Sequence, residues 1–390
     1  MPFIENNSMI YWDHNSTTPC AQEVVEAMRQ FWNEEFGNPS SNHIMGRRSA
    51  TAIQRAREQV ADLANVFPTE IIFTSGATES NNLLFLGILL SPHTERKRIV
   101  VSSIEHKSVL EPAYLLKGYG YEVVKIPVNR RGVTDVDVAK KLITPETLLV
   151  SVQAANNEIG TLQPVADMAD LAHENGAYFH TDAAQMLGKL QFDVHAVNCD
   201  FASFSAHKMY GPKGIGALFV RGGPRNWPWA RPFLGGGQES DLRPGTSNVS
   251  AIVGFGAACR LANDSLKENS AHLYQLSEKF IHELRAVEPQ VIIINEINSS
   301  LPGTLSIIFP GIPADLLIAH CQKICISRAS ACNGAIGASH VISEVLQDSC
   351  LEESVVRISF GRDSSSDDFA TFFKILKKIR SGKVGESRSN

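Results

Sequence analysis

The chain has 390 residues, 43% of them hydrophobic and 20% charged, with a formal net charge of -5. This is the composition of a soluble globular protein, long enough for two domains or for one domain with a lobe, and for a sizeable core. It excludes a basic run that would track phosphates, so no direct nucleic-acid binding is expected.

The opening residues, MPFIENNSMIYWDHN, lack a basic stretch followed by an apolar one, and no secretory signal is expected. Apolar runs such as NNLLFLGILL are too short for a membrane span. The cysteines Cys20, Cys199, Cys259, Cys321, Cys325, Cys332 and Cys350 follow no disulfide framework. A cytoplasmic protein with free thiols is expected.

Short apolar strands alternate with amphipathic stretches. Strands are expected at EIIFTSG (70–76), RIVVSS (98–103), YEVVKI (121–126), TLLVSVQ (147–153), AYFHTD (177–182), DFASFSA (200–206) and GIGALFVRGG (214–223). Helices are expected at ATESNNLLFLGILL and VADMADLAHENG. The alternation predicts βαβ units, and so an α/β fold with a mostly parallel sheet flanked by helices. After TSNVS one helix is expected from Ala251 to Asn269 and a second from Ala271 to Val287. Then QVIIIN, GTLSIIF, ADLLIAHCQK, SHVISEVLQ, SVVRISF and SDDFATFFKILKKIR predict a smaller C-terminal α/β domain. The expected division is a large domain over 17–259, a small domain built from 1–16 and 260–382, and a frayed tail at 383–390.

In such a sheet ligands sit at the carboxyl ends of the strands, so the residues just after each strand are the candidates. SGATESNN offers backbone N–H groups at a helix start, an anion site at Gly76, Ala77 and Thr78, although an ordinary helix cap reads the same way. Later strand ends carry His106 in IEHKS, Asn156 and Asn157 in AANNEIG, Asp182 and Gln185 in TDAAQ, and Ser205, His207 and Lys208 in SAHKMYGPKG. A lone histidine or aspartate is commonly structural; five polar strand ends on one sheet edge point to a site. A phosphate cradle, a carboxylate, a histidine and a lysine meet the needs of pyridoxal 5'-phosphate. The lysine forms a Schiff base with its aldehyde, and the carboxylate keeps the pyridine nitrogen protonated so that the ring acts as an electron sink. Lys208 is the candidate lysine. Lys107, Lys189 and Lys213 compete, with Lys213 reading as structural or exposed.

The stretches IYWDHNSTTP, FGNPSSNH, FTSGATESNN, EHKSVLEP, NNEIGTLQP, HTDAAQMLGK, SFSAHKMYGPKGIGAL, GGGQESDLRPGTSNV, SRASACNG and VRISFGR occur in that order. With them the chain resembles, over nearly its whole length, the cysteine desulfurases of the class V aminotransferase group. Selenocysteine lyases share much of the pattern. The resemblance implies the fold type I architecture of pyridoxal phosphate-dependent transferases. It implies that Lys208 carries the cofactor, that Asp182 pairs with the pyridine nitrogen and Gln185 with the ring hydroxyl, and that His106 lies over the ring and moves protons. Thr78, Ser205 and His207 are then expected to hold the phosphate, with the backbone amide of Ala77. Thr246 is expected to reach the phosphate of the other protomer, which implies a homodimer. Asn157 and Arg357 are expected to bind the carboxylate of the substrate, L-cysteine; the planar fork of an arginine suits a carboxylate.

By the same resemblance Cys332 is the sulfur acceptor. Its thiolate attacks the substrate sulfur, alanine leaves, and a persulfide remains. A sulfur-acceptor protein is expected to dock near this loop, serving iron–sulfur assembly, transfer-RNA thiolation or sulfur insertion into DNA. The run CNGAIGASH departs from the Thr or Ser, then Ser, that follows the cysteine in many relatives, and lacks their Glu-Pro pair before the next helix. Arg328 and Ala329 replace a common Ser-Gly. A selenocysteine lyase and a retired, cofactor-bearing scaffold are the competing readings. Cys321 and Cys325 read as core, and no metal site is expected. His340 reads as a helix-start or loop residue, and Trp227 and Trp229 as a surface loop or dimer contact.

Overall fold

The computed structural model describes residues 9–91, 95–328 and 339–382. Cys332 and the tail at 383–390 lie outside the described residues. In chain order, β1 (Ile10–Tyr11) precedes α1 (Gln22–Asn33) and α2 (Ile44–Ala64). An alternating series follows: β2 (Ile71–Thr74), α3 (Ala77–Leu89), β3 (Arg98–Ser102), α4 (Lys107–Lys117), β4 (Glu122–Ile126), α5 (Val136–Leu142), β5 (Thr147–Ser151), α6 (Val165–Glu174) and β6 (Tyr178–Asp182). Next come β7 (Phe201–Ser205), β8 (Gly216–Val220) and α7 (Val249–Val287). The rest comprises β9 (Ile292–Ile293), β10 (Thr304–Ile308), α8 (Ala314–His320), β11 (Ile324–Cys325), β12 (Ser327–Arg328), α9 (His340–Leu346), α10 (Ser349–Glu352), β13 (Val355–Ser359) and α11 (Phe369–Arg380).

Seven strands form one sheet in the order β2-β8-β7-β6-β5-β3-β4. β8 runs antiparallel to both neighbours, and the other pairs are parallel. Helices cover both faces, which is why β5, β7 and β8 are buried along their whole length and read as apolar runs. Alternation assigns the faces: Val100, Val150 and Phe179 join one core cluster with α2 and α6, whereas Ile99, Val101 and Leu149 join another with α3 and α4. Four antiparallel strands, ordered β12-β13-β10-β9, make a second sheet, and β1 pairs in parallel with β11. This second core gathers around Trp12, whose ring meets those of Phe280, Phe360, Phe369 and Phe372 edge-on. A smaller cluster of Ile104, Ile159, Ile308, Val341 and Val355 joins the two sheets' surroundings.

Two local expectations fail for identifiable reasons. α7 is one helix of 39 residues, not two. Its polar middle resembles a helix end, but it holds no glycine or proline. Its side chains close on the helix itself, with Ser265 Oγ donating to the Leu261 carbonyl and Asn269 Nδ2 to Ser265 Oγ. Trp227 and Trp229 are core residues, each 8% exposed, and not surface residues. Trp227 meets the Phe201 ring edge-on, and Trp229 packs at a tilt against Phe201 and edge-on against Tyr178. Gly87 on α3 makes the room, because a Cβ there would lie 2.7 Å from the Trp227 ring. Among the described residues no helix is long and apolar enough to cross a membrane.

Candidate active site

The carboxyl ends of β2, β5, β6 and β7, with the N-terminus of α4, surround a cleft of about 600 Å³. It is lined by Ala77, Thr78, His106, Asn157, Asp182, Gln185, Ser205, His207, Lys208 and Arg357. Of the candidates named above from described positions, Asn156, Lys189 and Thr246 do not line it: Asn156 is buried and donates to the Ile104 carbonyl, and Lys189 Nζ donates to Gln185 Oε1. Thr246 is the third. That residue is exposed and lines a smaller neighbouring pocket, which shares Ser75 and Gly214 with the cleft.

The anion end is built first. Gly76 has φ +151°, a conformation open to glycine, and precedes α3, which begins without a side-chain cap. The Cα–Cβ direction at Gly76 has room, with Ser205 Oγ 4.0 Å away as its nearest neighbour. Gly76, Ala77 and Thr78 line the cleft with Ser205, so the start of α3, whose first N–H groups have no partner within the helix, opens onto it. His207 Nδ1 lies 3.0 Å from Thr17 Oγ1. Burial, with Lys208, Lys213 and Lys189 nearby, pushes its pKa down to about 4, so it is a neutral donor at neutral pH.

At the far end Asp182 is 7% exposed. Its Oδ2 accepts from Asn81 Nδ2 at 2.8 Å and its Oδ1 from the Ala184 amide at 3.0 Å, which fixes the carboxylate in place. Glu105 is fully buried close by; burial, and to a lesser degree the Asp182 charge, push its carboxyl above the usual range against the pull of the Gln153 amide. His106 caps α4. The Ser108 backbone amide donates to its Nδ1 at 3.1 Å, which leaves the ring proton of the neutral form on Nε2.

Lys208 Nζ donates to the carbonyl oxygens of Asn15 and Ser16 at 2.6 and 2.8 Å. Gln185 Nε2 donates to the Asn15 carbonyl at 2.9 Å. Arg357, only 1% exposed, donates from Nη1 to the Asn157 carbonyl at 3.0 Å and from Nη2 to Asp13 Oδ1 at 2.7 Å, Ser16 Oγ at 2.5 Å and Ser327 Oγ at 2.9 Å. Its Nε has no hydrogen-bond partner among the described residues.

The segment DHNSTT, residues 13–18, supplies partners to Lys208, Gln185, His207 and Arg357. Reading strand ends missed it, because it follows a two-residue strand that pairs only with β11. Its signal was a polar run between Trp12 and Pro19. Glu158 was also missed: it lines the cleft and accepts from Ser339 Oγ. His340 starts α9 as expected but also lines the cleft, with Nε2 3.0 Å from the Glu105 carbonyl oxygen. Lys213 is exposed at the cleft rim. Cys321 is buried, and Cys325 lies on β11. Among the described residues no group of three His, Cys, Asp or Glu side chains is placed to hold a metal.

Residues 10–372 match the family description of class-V aminotransferases. A cysteine desulfurase IscS of Dictyoglomus turgidum is 38% identical over 373 residues, covering 95% of this chain and 94% of that protein. A mitosomal cysteine desulfurase of Encephalitozoon cuniculi is 42% identical, over 90% of this chain and 82% of its own length. The solved structure of a NifS-like protein superposes with a TM-score of 0.88 at 36% identity, covering 96% of this chain and all of that one. On fold, site and sequence together, the chain belongs to the cysteine desulfurases of the class-V aminotransferase family.

Proposed function

We propose that this protein converts L-cysteine to L-alanine with pyridoxal phosphate as cofactor and takes the sulfur onto Cys332 as a persulfide for an acceptor protein. The observation that carries the reading is the meeting of Lys208, Asp182, His106 and Arg357 in one cleft from four separate parts of the chain. When bound, the cofactor supplies an aldehyde for the substrate amine and a ring that accepts electron density. The site fits it: the uncapped start of α3, with Ala77, Thr78, Ser205 and His207, makes an anion cradle at one end, and the fixed Asp182 carboxylate makes a proton partner at the other.

Each residue then has a task. Lys208 offers the attaching amine and, once displaced, serves as the base for the substrate's α-proton. Asp182 holds a proton on the pyridine nitrogen, and Gln185 donates to the ring hydroxyl. His106 would lie over the ring and take part in proton transfer. Arg357, through Nε and Nη1, and Asn157 receive the substrate carboxylate. In the net reaction the C–S bond breaks, its electron pair stays on the β-carbon, which takes up a proton, and the sulfur bonds to Cys332 Sγ. Cys332 belongs to the segment 329–338, outside the described residues. The residues near its two ends support the assignment: Ser327 bonds to Arg357, and Ser339 to Glu158, both in the cleft wall.

A two-lobed chain, 17–259 against 1–16 with 260–382, and a homodimer complete the proposal. Exposed Trp32, Phe36, Ile44 and Leu234, and the position of Thr246 beside the phosphate loop, support a covered face. Light scattering checks the dimer. The chemistry is tested by two variants. Lys208→Ala is expected to lose the visible Schiff-base band. Cys332→Ser is expected to keep it and to stop sulfide release from L-cysteine with thiol present. A band that survives Lys208→Ala, or normal desulfurisation by Cys332→Ser, contradicts the assignment.

A further inference from the structure

L-cysteine brings three groups to the cleft: an amine for the cofactor, a carboxylate for Arg357 and Asn157, and a thiol. A thiol is a weak donor and is held best by an open acceptor. His340 lines the same cleft, and none of the tasks above employs it.

The His340 ring is fixed from two sides. Ser339 starts α9: its Oγ accepts from the Val341 and Ile342 amides and donates to Glu158 in the cleft wall. Val341 and Ile342 are buried with Ile104 and Ile159, which ties the helix start to the body of the protein. On the other side, His340 Nε2 lies 3.0 Å from the Glu105 carbonyl oxygen. A carbonyl only accepts, so Nε2 carries the ring proton. Burial, with the charges of Lys107 and His106, pushes the His340 pKa below 6.5 against the Glu105 carbonyl and Glu344, which favours the neutral ring. Nδ1 of a neutral ring protonated at Nε2 is an acceptor. It has no hydrogen-bond partner among the described residues. His106 offers no such acceptor at its own Nδ1, which the Ser108 amide occupies.

The position suits the third group of the substrate. Glu158 follows Asn157 directly and feels the charges of Arg357 and His106, and His340 feels that of His106. The wall of Glu158, Ser339 and His340 therefore borders both the carboxylate end of the cleft and the side where His106 stands.

We propose that His340 is the thiol-binding residue of the site: its Nδ1 accepts from the S–H of L-cysteine and so favours a thiol side chain over a methyl one. The contact is a hydrogen bond, and no proton or electron pair leaves the substrate through it. The inference rests on the L-cysteine and pyridoxal phosphate reading above and adds to it a partner for the sulfur.

The test uses the cofactor-loaded Cys332→Ser protein, in which L-cysteine binds without passing on its sulfur. Dissociation constants for L-cysteine and L-alanine are read from the change in the visible band. L-alanine lacks only the sulfur, so it reports general damage to the site. Adding His340→Phe keeps a ring and removes the acceptor. It is expected to weaken L-cysteine about three- to tenfold, the size of one neutral hydrogen bond, and to leave L-alanine within about twofold. His340→Asn puts an amide oxygen near the place of Nδ1 and is expected to restore most of the difference. If the Phe variant does not hold the cofactor, nitrogen-15 NMR of the Cys332→Ser protein reads the same contact. The His340 Nδ1 resonance, identified by its loss in His340→Asn, is expected to be that of an unprotonated nitrogen at neutral pH and to move with L-cysteine but not with L-alanine. Unchanged L-cysteine binding by the Phe variant, an equal loss for both amino acids, or an Asn variant as weak as Phe overturns the proposal. So does a protonated Nδ1, or one that responds alike to both ligands. Failure of the reading beneath it looks different: the Cys332→Ser protein itself would show no visible band, or a band that neither amino acid changes.

Discussion

Glu158 sits in the cleft wall at 5% exposure. Burial pushes its carboxyl up to about 7, against the pull of Ser339, Arg357, His106 and Lys107. The folded value exceeds the ordinary 4.5, so the stability this group contributes is fully present below about 4.5 and is lost as pH rises through about 7. Glu158→Gln keeps an acceptor for Ser339 and cannot ionise. Its urea midpoint, compared with that of the unaltered protein, is expected to be more favourable at pH 8 than at pH 5 by an amount on the order of 2–3 kcal/mol. An equal difference at both values would contradict the assignment. Arg357 makes a second case at this scale. Arg357→Lys keeps the charge but loses the fork that serves Asp13, Ser16 and the Asn157 carbonyl at once. The KM for L-cysteine is expected to rise about tenfold or more, with the cofactor band retained; initial rates on a loaded preparation check this. Lys208, Asp182, His106 and Arg357 each stand in a distinctive motif of the sequence, and the four meet in the cleft. Glu158 was not legible in the sequence, because nothing in NNEIG shows that its neighbour is Ser339, 181 positions away.

At the scale of elements, α7 is the clearest contrast between local signal and outcome. Asn248 starts it by accepting from the Ala251 amide, and no proline interrupts it before Val287. It spans the expected domain boundary, so its continuity ties the helices over the large sheet to the core around Phe280. Ala271 is exposed within it. Ala271→Gly is expected to cost about 1 kcal/mol and Ala271→Pro about 3 kcal/mol or more, read from chemical unfolding. The strands were the better-marked elements. Seven expected runs correspond to β2 through β8, and buried parallel strands announce themselves as unbroken apolar stretches. The two-residue strands β1, β11 and β12 carry no such pattern. Their existence depends on partners far away in the chain, as Ile10 pairing with Ile324 shows.

For the whole molecule, the N-terminal segment links stability to chemistry. Trp12 is fully buried among four phenylalanines, and the next six residues run into the cleft. Trp12→Ala is expected to destabilise by about 3–5 kcal/mol and to weaken cofactor retention, because it loosens the anchor of Asn15 and Ser16. Trp12→Phe is expected to cost much less. The Trp12 Nε1 has no hydrogen-bond partner among the described residues, so the smaller ring gives up no polar contact. Thermal unfolding and cofactor absorbance after gel filtration distinguish the two.

Residue order alone determined the α/β alternation, the strand ends that bear polar groups, and the chemistry those groups offer, because periodicity and side-chain type are local properties. Tertiary structure decided which groups meet. It joined Arg357 to Asp13 across 344 positions, buried Trp227 and Trp229 over Gly87, and placed Lys189 and Lys208 on one asparagine. Those outcomes come from packing two sheets around one cleft, where burial and neighbouring charge set the behaviour of each group, and no short stretch of sequence contains that environment.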